Sequence, residues 1–322
     1  MRTLTGAVPG VQKHLKISMK TIILIAIIII PVFCQGINVE KIKNKDGSKS
    51  IKITTETYEV VVVDPASNPK ENFCGARFCR GAWLKSLKLR NPDSEVLRTN
   101  SVFDWHPTWG LAQEFQPALA LKKASEGKRK FLKIGVGEVV RINNNRFKDK
   151  ILSLYPWKTK IERIDNSIQI IFQQDSPENS KYSYCLSQKM IFSDKAQIIT
   201  QTSLENKGNN TIQVETYLHP FFVIQPNSEI IIDGKLSHKV KKMPNYKELE
   251  FPHACKQIRA TGLINNAEIK IETSKTLSKL VFWKAKNTFA IEPFQPIKVL
   301  PQQRSECKFS IFFKVQRNND EI

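Results

Sequence analysis

From about Lys41 onward, apolar and polar residues alternate with period two or gather into short apolar runs, and turn-forming residues separate the runs. That period is the signature of strands, because successive side chains of an extended chain point to opposite faces. Clear instances are 58–63 (YEVVVV), 82–89 (AWLKSLKL), 167–172 (SIQIIF), 196–202 (AQIITQT), 267–272 (AEIKIE), 279–283 (KLVFW) and 308–313 (KFSIFF). Asp64-Pro65, Asn91-Pro92-Asp93, 207–210 (KGNN) and Asp233-Gly234 mark turns between runs. At least twelve strands are predicted, and no stretch holds a helical period. Self-similarity over about 20 to 50 residues, the mark of propellers and solenoids, is missing. The pattern therefore predicts an all-β chain folded as a large antiparallel sandwich, with one sheet curled so that its outer, polar face forms a trough.

The N-terminus breaks the pattern. Residues 1–34 carry four basic residues (Arg2, Lys13, Lys16, Lys20), no acidic ones, and an apolar run from Ile22 to Phe33 interrupted only by Pro31. The run is shorter than the roughly 20 residues a helix needs to cross a bilayer. The expected organisation is a signal peptide over 1–34, cleaved after Cys34 rather than kept as a membrane tether, then one β-sandwich domain over 35–322. Met19, directly before Lys20 and the apolar run, is an alternative start. The protein is then secreted or periplasmic.

Composition narrows the function classes. The chain of 322 residues has a formal net charge of +20, and 18 Phe, 5 Trp and 6 Tyr provide core material. Neither a disordered chain nor a multi-span membrane protein fits. Lysines are spread along the whole length, without an Arg-rich segment, a helix-turn-helix pattern or zinc-finger spacing, so nucleic acid is not the expected partner. The same charge suits association with acidic glycans or envelope lipids. Five cysteines follow the leader (Cys74, Cys79, Cys185, Cys255, Cys307), an odd count that leaves at least one thiol free; Cys74 and Cys79 are close enough in sequence to bridge.

Nucleotide loops, nucleophile elbows and zinc-protease motifs are all missing, and Gly135-Val136-Gly137 reads as a turn or bulge between strands. The five histidines stand too far apart for metal-ligand spacing, so no metal is expected. The most informative strand is 212–220: Gln213, Glu215, Tyr217 and His219 share one face, and Val214, Thr216 and Leu218 the other. A row of hydrogen-bonding groups beside an aromatic ring suits carbohydrate, whose hydroxyls need polar partners and whose C–H face packs on rings. A solvated outer face gives the same alternation. In Ala290-Ile291-Glu292-Pro293-Phe294, Glu292 stands among apolar neighbours before a proline, as an acid or base would, or as an edge-strand Glu paired with a Lys.

Taken together, these segments resemble the aldose 1-epimerase (galactose mutarotase)-like family. Five stretches carry the likeness in order: Gly75-Ala76-Arg77-Phe78 with Gly81-Ala82-Trp83-Leu84; 110–115 (GLAQEF); 131–137 (FLKIGVG); 204–208 (LENKG) leading to His219-Pro220-Phe221-Phe222; and Ala290 to Phe294. The resemblance implies a β-supersandwich whose concave face binds sugar, with His219 as general acid and Glu292 as general base meeting across a pocket as wide as a pyranose. It further implies Arg77 as a ligand of a substrate hydroxyl or phosphate, with His106, Glu114 and Asp233 as further substrate-binding candidates. No cofactor is implied. Pro220 departs from the polar residue that simple sugar mutarotases have after the acid, and 110–115 is closer to other bacterial relatives, so the identity of the sugar does not transfer.

The expected function is an exported aldose 1-epimerase-like enzyme that interconverts the anomers of a monosaccharide or short oligosaccharide. The alternative is a carbohydrate-binding protein that keeps the trough without turnover, and a third reading is a cationic structural or adhesion protein.

Overall fold

The computed structural model describes residues 36–45, 47–68, 75–90, 93–101, 103, 107–121, 128–142, 149–178, 181–251 and 255–315. Among these, 24 β-strands form three antiparallel sheets. The largest runs in the order β1 (Asn38–Lys43), β2 (Lys49–Thr54), β3 (Tyr58–Val63), β4 (Leu84–Arg90), β6 (Leu111–Gln116), β15 (Ile212–Pro220), β23 (Thr288–Val299), β22 (Lys279–Ala285), β19 (Tyr246–Leu249). The short strands β5 (Asp93–Glu95) and β16 (Phe222–Val223) pair with β4 and β23.

The second sheet follows the order β11 (Trp157–Ile164), β12 (Ser167–Asp175), β13 (Tyr184–Ser193), β14 (Gln197–Asn206), β24 (Arg304–Val315), β21 (Ala267–Thr273), β20 (Gln257–Thr261), β17 (Glu229–Ile232), β18 (Leu236–Lys239). A small sheet holds β10 (Lys150–Leu154), β9 (Gly137–Ile142), β8 (Lys128–Lys133) and β7 (Leu119–Ala120). The all-β, antiparallel reading of the sequence is borne out.

Alternation explains the second sheet directly. Along β12, β13 and β14 buried and half-exposed residues alternate almost without exception, so one face of each strand enters the core and the other meets solvent. Ile168, Phe172, Leu204 and Phe309 from this sheet share a single apolar cluster with Ile51, Val60, Leu87 and Leu218 from the largest one. A buried polar bridge crosses between the layers. Gln113 on β6 donates to Thr216 at 2.7 Å and accepts from Gln188 at 2.6 Å and Thr202 at 2.9 Å.

The centre of the largest sheet is covered on both faces. Nearly every residue of β6, of the second half of β15 and of the first half of β23 is buried. Its far side, turned from the main core, carries a second aromatic cluster of Phe78, Trp83, Trp109 and Phe221. The loop that supplies Phe78 is held by the turn between β8 and β9, where Arg80 N–H donates to the Gly135 carbonyl at 3.1 Å. Gly135 adopts φ +80°, and a methyl group there would sit on the Cys79 sulfur. The glycine motif is thus the turn that its sequence suggested.

Cys185, Cys255 and Cys307 are free thiols, and the buried Cys79 Sγ donates to Gln188 Oε1 at 3.1 Å. Cys74, like the leader 1–34, lies outside the described residues.

Candidate functional site

The predicted row on β15 exists. Gln213 is exposed, Glu215 half-buried, and Tyr217 and His219 are buried on the same face of the strand. Register then assembles the neighbours. Tyr217 stands opposite Glu114 on β6, and Thr216 opposite Gln295 on β23. The same register carried three residues further brings His219 to Glu292, and on the next strand Glu292 pairs with Val281. Side chains on one face of adjacent strands, about 4.8 Å apart, are within hydrogen-bond reach.

His219 Nε2 lies 2.9 Å from Glu292 Oε1. The resemblance implies a pair facing each other across a pyranose-wide pocket; the structure instead joins them directly, because in-register positions on neighbouring strands leave no such gap. The His219 ring stacks on Phe221 at 4.2 Å and meets the edges of Phe78 at 5.3 Å and Trp283 at 5.8 Å. Only 2% of the His219 side chain and 7% of the Glu292 side chain are exposed. Glu292 nevertheless forms part of the wall of an open cavity of about 360 Å³, with Arg77, Tyr217, Trp283, Phe294 and Lys279. His219 stands behind it.

Two protonation states satisfy this geometry differently. A neutral His219 gives its Nε2 proton to Glu292 and leaves Nδ1, which is buried without a partner among the described residues, as a bare lone pair. An imidazolium makes a buried ion pair with Glu292, at the cost of an unsatisfied Nδ1 donor of about 1–3 kcal/mol.

Beside the pair lies a denser charge cluster. Glu114 accepts from Arg77 Nε at 2.6 Å, Lys133 Nζ at 2.6 Å, Gln116 Nε2 at 2.8 Å and the Tyr217 hydroxyl. Burial alone would raise the Glu114 carboxyl, but Lys133 and Arg77 together hold it far below the ordinary carboxylate range. Tyr217 is raised well above its usual value, first by burial. It also accepts from Arg77 Nη2 at 3.0 Å and stacks on Phe294 at 4.0 Å.

Of the residues singled out in the sequence, the structure brings His219, Glu292, Arg77 and Glu114 together. Arg77 lines the cavity, while Glu114 is committed to fixing Arg77, Lys133 and Tyr217. Asp233 is not brought here: with Gly234 and Lys235 it forms the three-residue turn between β17 and β18 of the other sheet, Asp233 and Gly234 at φ +49° and +70°, closed by Lys235 N–H to the Ile232 carbonyl at 3.0 Å. His106 lies outside the described residues. Gln116, Lys133, Trp283, Lys279 and Tyr246 were not singled out. Lys133 falls inside the 131–137 stretch and Trp283 inside a predicted strand, so the segments were visible while their convergence was not.

No family model matches the chain, and no curated protein matches it. Solved structures do. A galactose mutarotase-like protein from Clostridium acetobutylicum superposes with a TM-score of 0.59 at 14% identity, covering 87% of this chain and 99% of that one. Galactose 1-epimerase from Lactobacillus acidophilus NCFM gives 0.57 at 11% identity, over 88% of this chain and 100% of that one. A galactose mutarotase-like protein from Lactobacillus casei ATCC 334 gives 0.53 at 11% identity, over 86% and 100%. The resemblance carried by the sequence motifs extends to the whole architecture: this chain has the galactose mutarotase-like fold.

Proposed function

We propose that the chain binds a reducing sugar in the cavity beside Glu292 and interconverts its anomers. The observation that carries the reading is the His219–Glu292 contact of 2.9 Å at the wall of a cavity lined by aromatic rings, a guanidinium and an ammonium group. Glu292, ionised, takes the proton of the anomeric hydroxyl. As imidazolium, His219 turns its Nε2 proton from Glu292 to the ring oxygen. The bond between the anomeric carbon and the ring oxygen breaks, its electron pair stays on that oxygen, and a carbonyl forms at the anomeric carbon. Rotation and the reverse transfers close the other anomer. Because both oxygens are bonded to one carbon, an acid and a base in mutual contact can serve them from one side. Each transfer typically contributes about 10²- to 10⁴-fold.

The second reading, sugar binding without turnover, is favoured by the depth of His219. The side chain reaches a sugar only if its aromatic cover shifts, and a neutral imidazole is too weak an acid to protonate the ring oxygen. Timing the polarimetric relaxation of freshly dissolved α-anomers separates the two. Acceleration by the parent protein, lost in Glu292→Gln, supports the enzyme; saturable sugar binding with an unaccelerated relaxation supports the binding protein. Export through residues 1–34 is part of the same proposal and rests on the sequence pattern alone.

A further inference from the structure

The cavity beside Glu292 has an aromatic outer wall. Glu292 pairs with Val281, and two residues along the strand Ala290 pairs with Trp283, which in turn pairs with Tyr246 on the edge strand β19. Glu292, Val281, Trp283 and Tyr246 therefore share the face that lines the cavity. With a rise of about 3.3 Å per residue and about 4.8 Å between strands, Tyr246 lies about 12 Å from Glu292 along the sheet. That is further than one pyranose ring reaches and within the span of two linked rings.

The rings also differ in accessibility. Tyr217 and Phe294, next to Glu292, are buried in a stack, Trp283 is half-buried, and Tyr246 is 63% exposed. Among the large exposed apolar side chains of the described residues, Tyr246 is the most accessible, and it lines this cavity. An aromatic face held open beside a polar pocket wall has an apolar body for C–H groups and a polar tip for hydroxyls.

Resting on the sugar-binding reading above, we infer that Tyr246 and Trp283 form a platform for a second sugar ring, so that the preferred ligand is a reducing disaccharide or short oligosaccharide with its reducing ring at Glu292. Tyr246 makes no contact with the His219–Glu292 pair, and its exposure at a sheet edge allows substitution without loss of the core.

Calorimetric titration of the full chain with glucose, galactose, maltose, cellobiose and lactose, repeated for Tyr246→Ala and Tyr246→Phe, tests the inference. The parent is expected to bind at least one disaccharide more tightly than either monosaccharide. Tyr246→Ala should weaken that disaccharide by about two- to tenfold and the monosaccharides by clearly less, while Tyr246→Phe keeps the preference. Equal effects on both ligand lengths, or a parent with no preference for disaccharides, would overturn the platform while leaving sugar binding in place. Failure of every sugar to bind the parent would overturn the underlying reading as well.

Discussion

Glu114 shows how much of the site is scaffold. Its carboxylate is almost fully buried and holds two cations, Arg77 and Lys133, each at 2.6 Å. Removing one member of a buried ion cluster leaves the others uncompensated, at about 3–5 kcal/mol. Glu114→Gln should therefore lose about that much stability in urea unfolding near neutral pH. The sign with pH follows from the depressed carboxyl: the stabilisation is fully present above the ordinary carboxylate range and fades as pH falls toward the low folded value. The gap between parent and variant should narrow in acid. A variant as stable as the parent at neutral pH would show that Arg77 and Lys133 find other partners. The motif offered Glu114 as a substrate-binding candidate; its contacts as an anchor were not legible, because Lys133 and Tyr217 reach it from other strands of the chain.

At the scale of elements, legibility followed exposure. The stretch 58–63 became β3 residue for residue, and β12 and β14 begin within one residue of the predicted runs, since a strand with one wet face writes its period into the sequence. β6 and β23 are covered on both sides, so their period is blurred, and they are where the candidate chemistry sits. Gln113 joins the two layers through hydrogen bonds to Thr216, Gln188 and Thr202. Gln113→Leu keeps the volume roughly but orphans two donors, and should cost about 1–3 kcal/mol in chemical denaturation. At the turn between β8 and β9, Gly135→Ala forces either the Cys79 segment or the turn to move. Since that segment carries Arg77, weaker sugar binding should accompany the loss of stability; a variant that binds sugar like the parent would separate the turn from the site.

For the molecule as a whole, the fold class was readable because nearly every run had the strand period, while the order of strands in each sheet was not. Sequence neighbours such as β6 and β7 lie in different sheets, and β15 is inserted between β6 and β23. Charge belongs to this scale too. Without residues 1–34 the chain keeps 46 basic and 30 acidic residues. The export proposal predicts a mature N-terminus at Gln35, which intact-mass measurement of the protein recovered outside the cytoplasm would detect; protein retained in the cytoplasm with residues 1–34 attached would contradict it.

The proposed anomer interconversion requires proton transfer between one sugar and the joined His219–Glu292 pair. Anomer exchange at equilibrium, followed by saturation transfer between the α and β anomeric protons across a pH series, addresses it most directly. The parent should exchange the anomers faster than buffer alone at every pH where it stays folded. Glu292→Gln should abolish the enhancement, and His219→Asn should reduce it by about 10²- to 10⁴-fold. Exchange no faster than in buffer alone, or enhancement that survives both substitutions, would contradict the assignment of this pair.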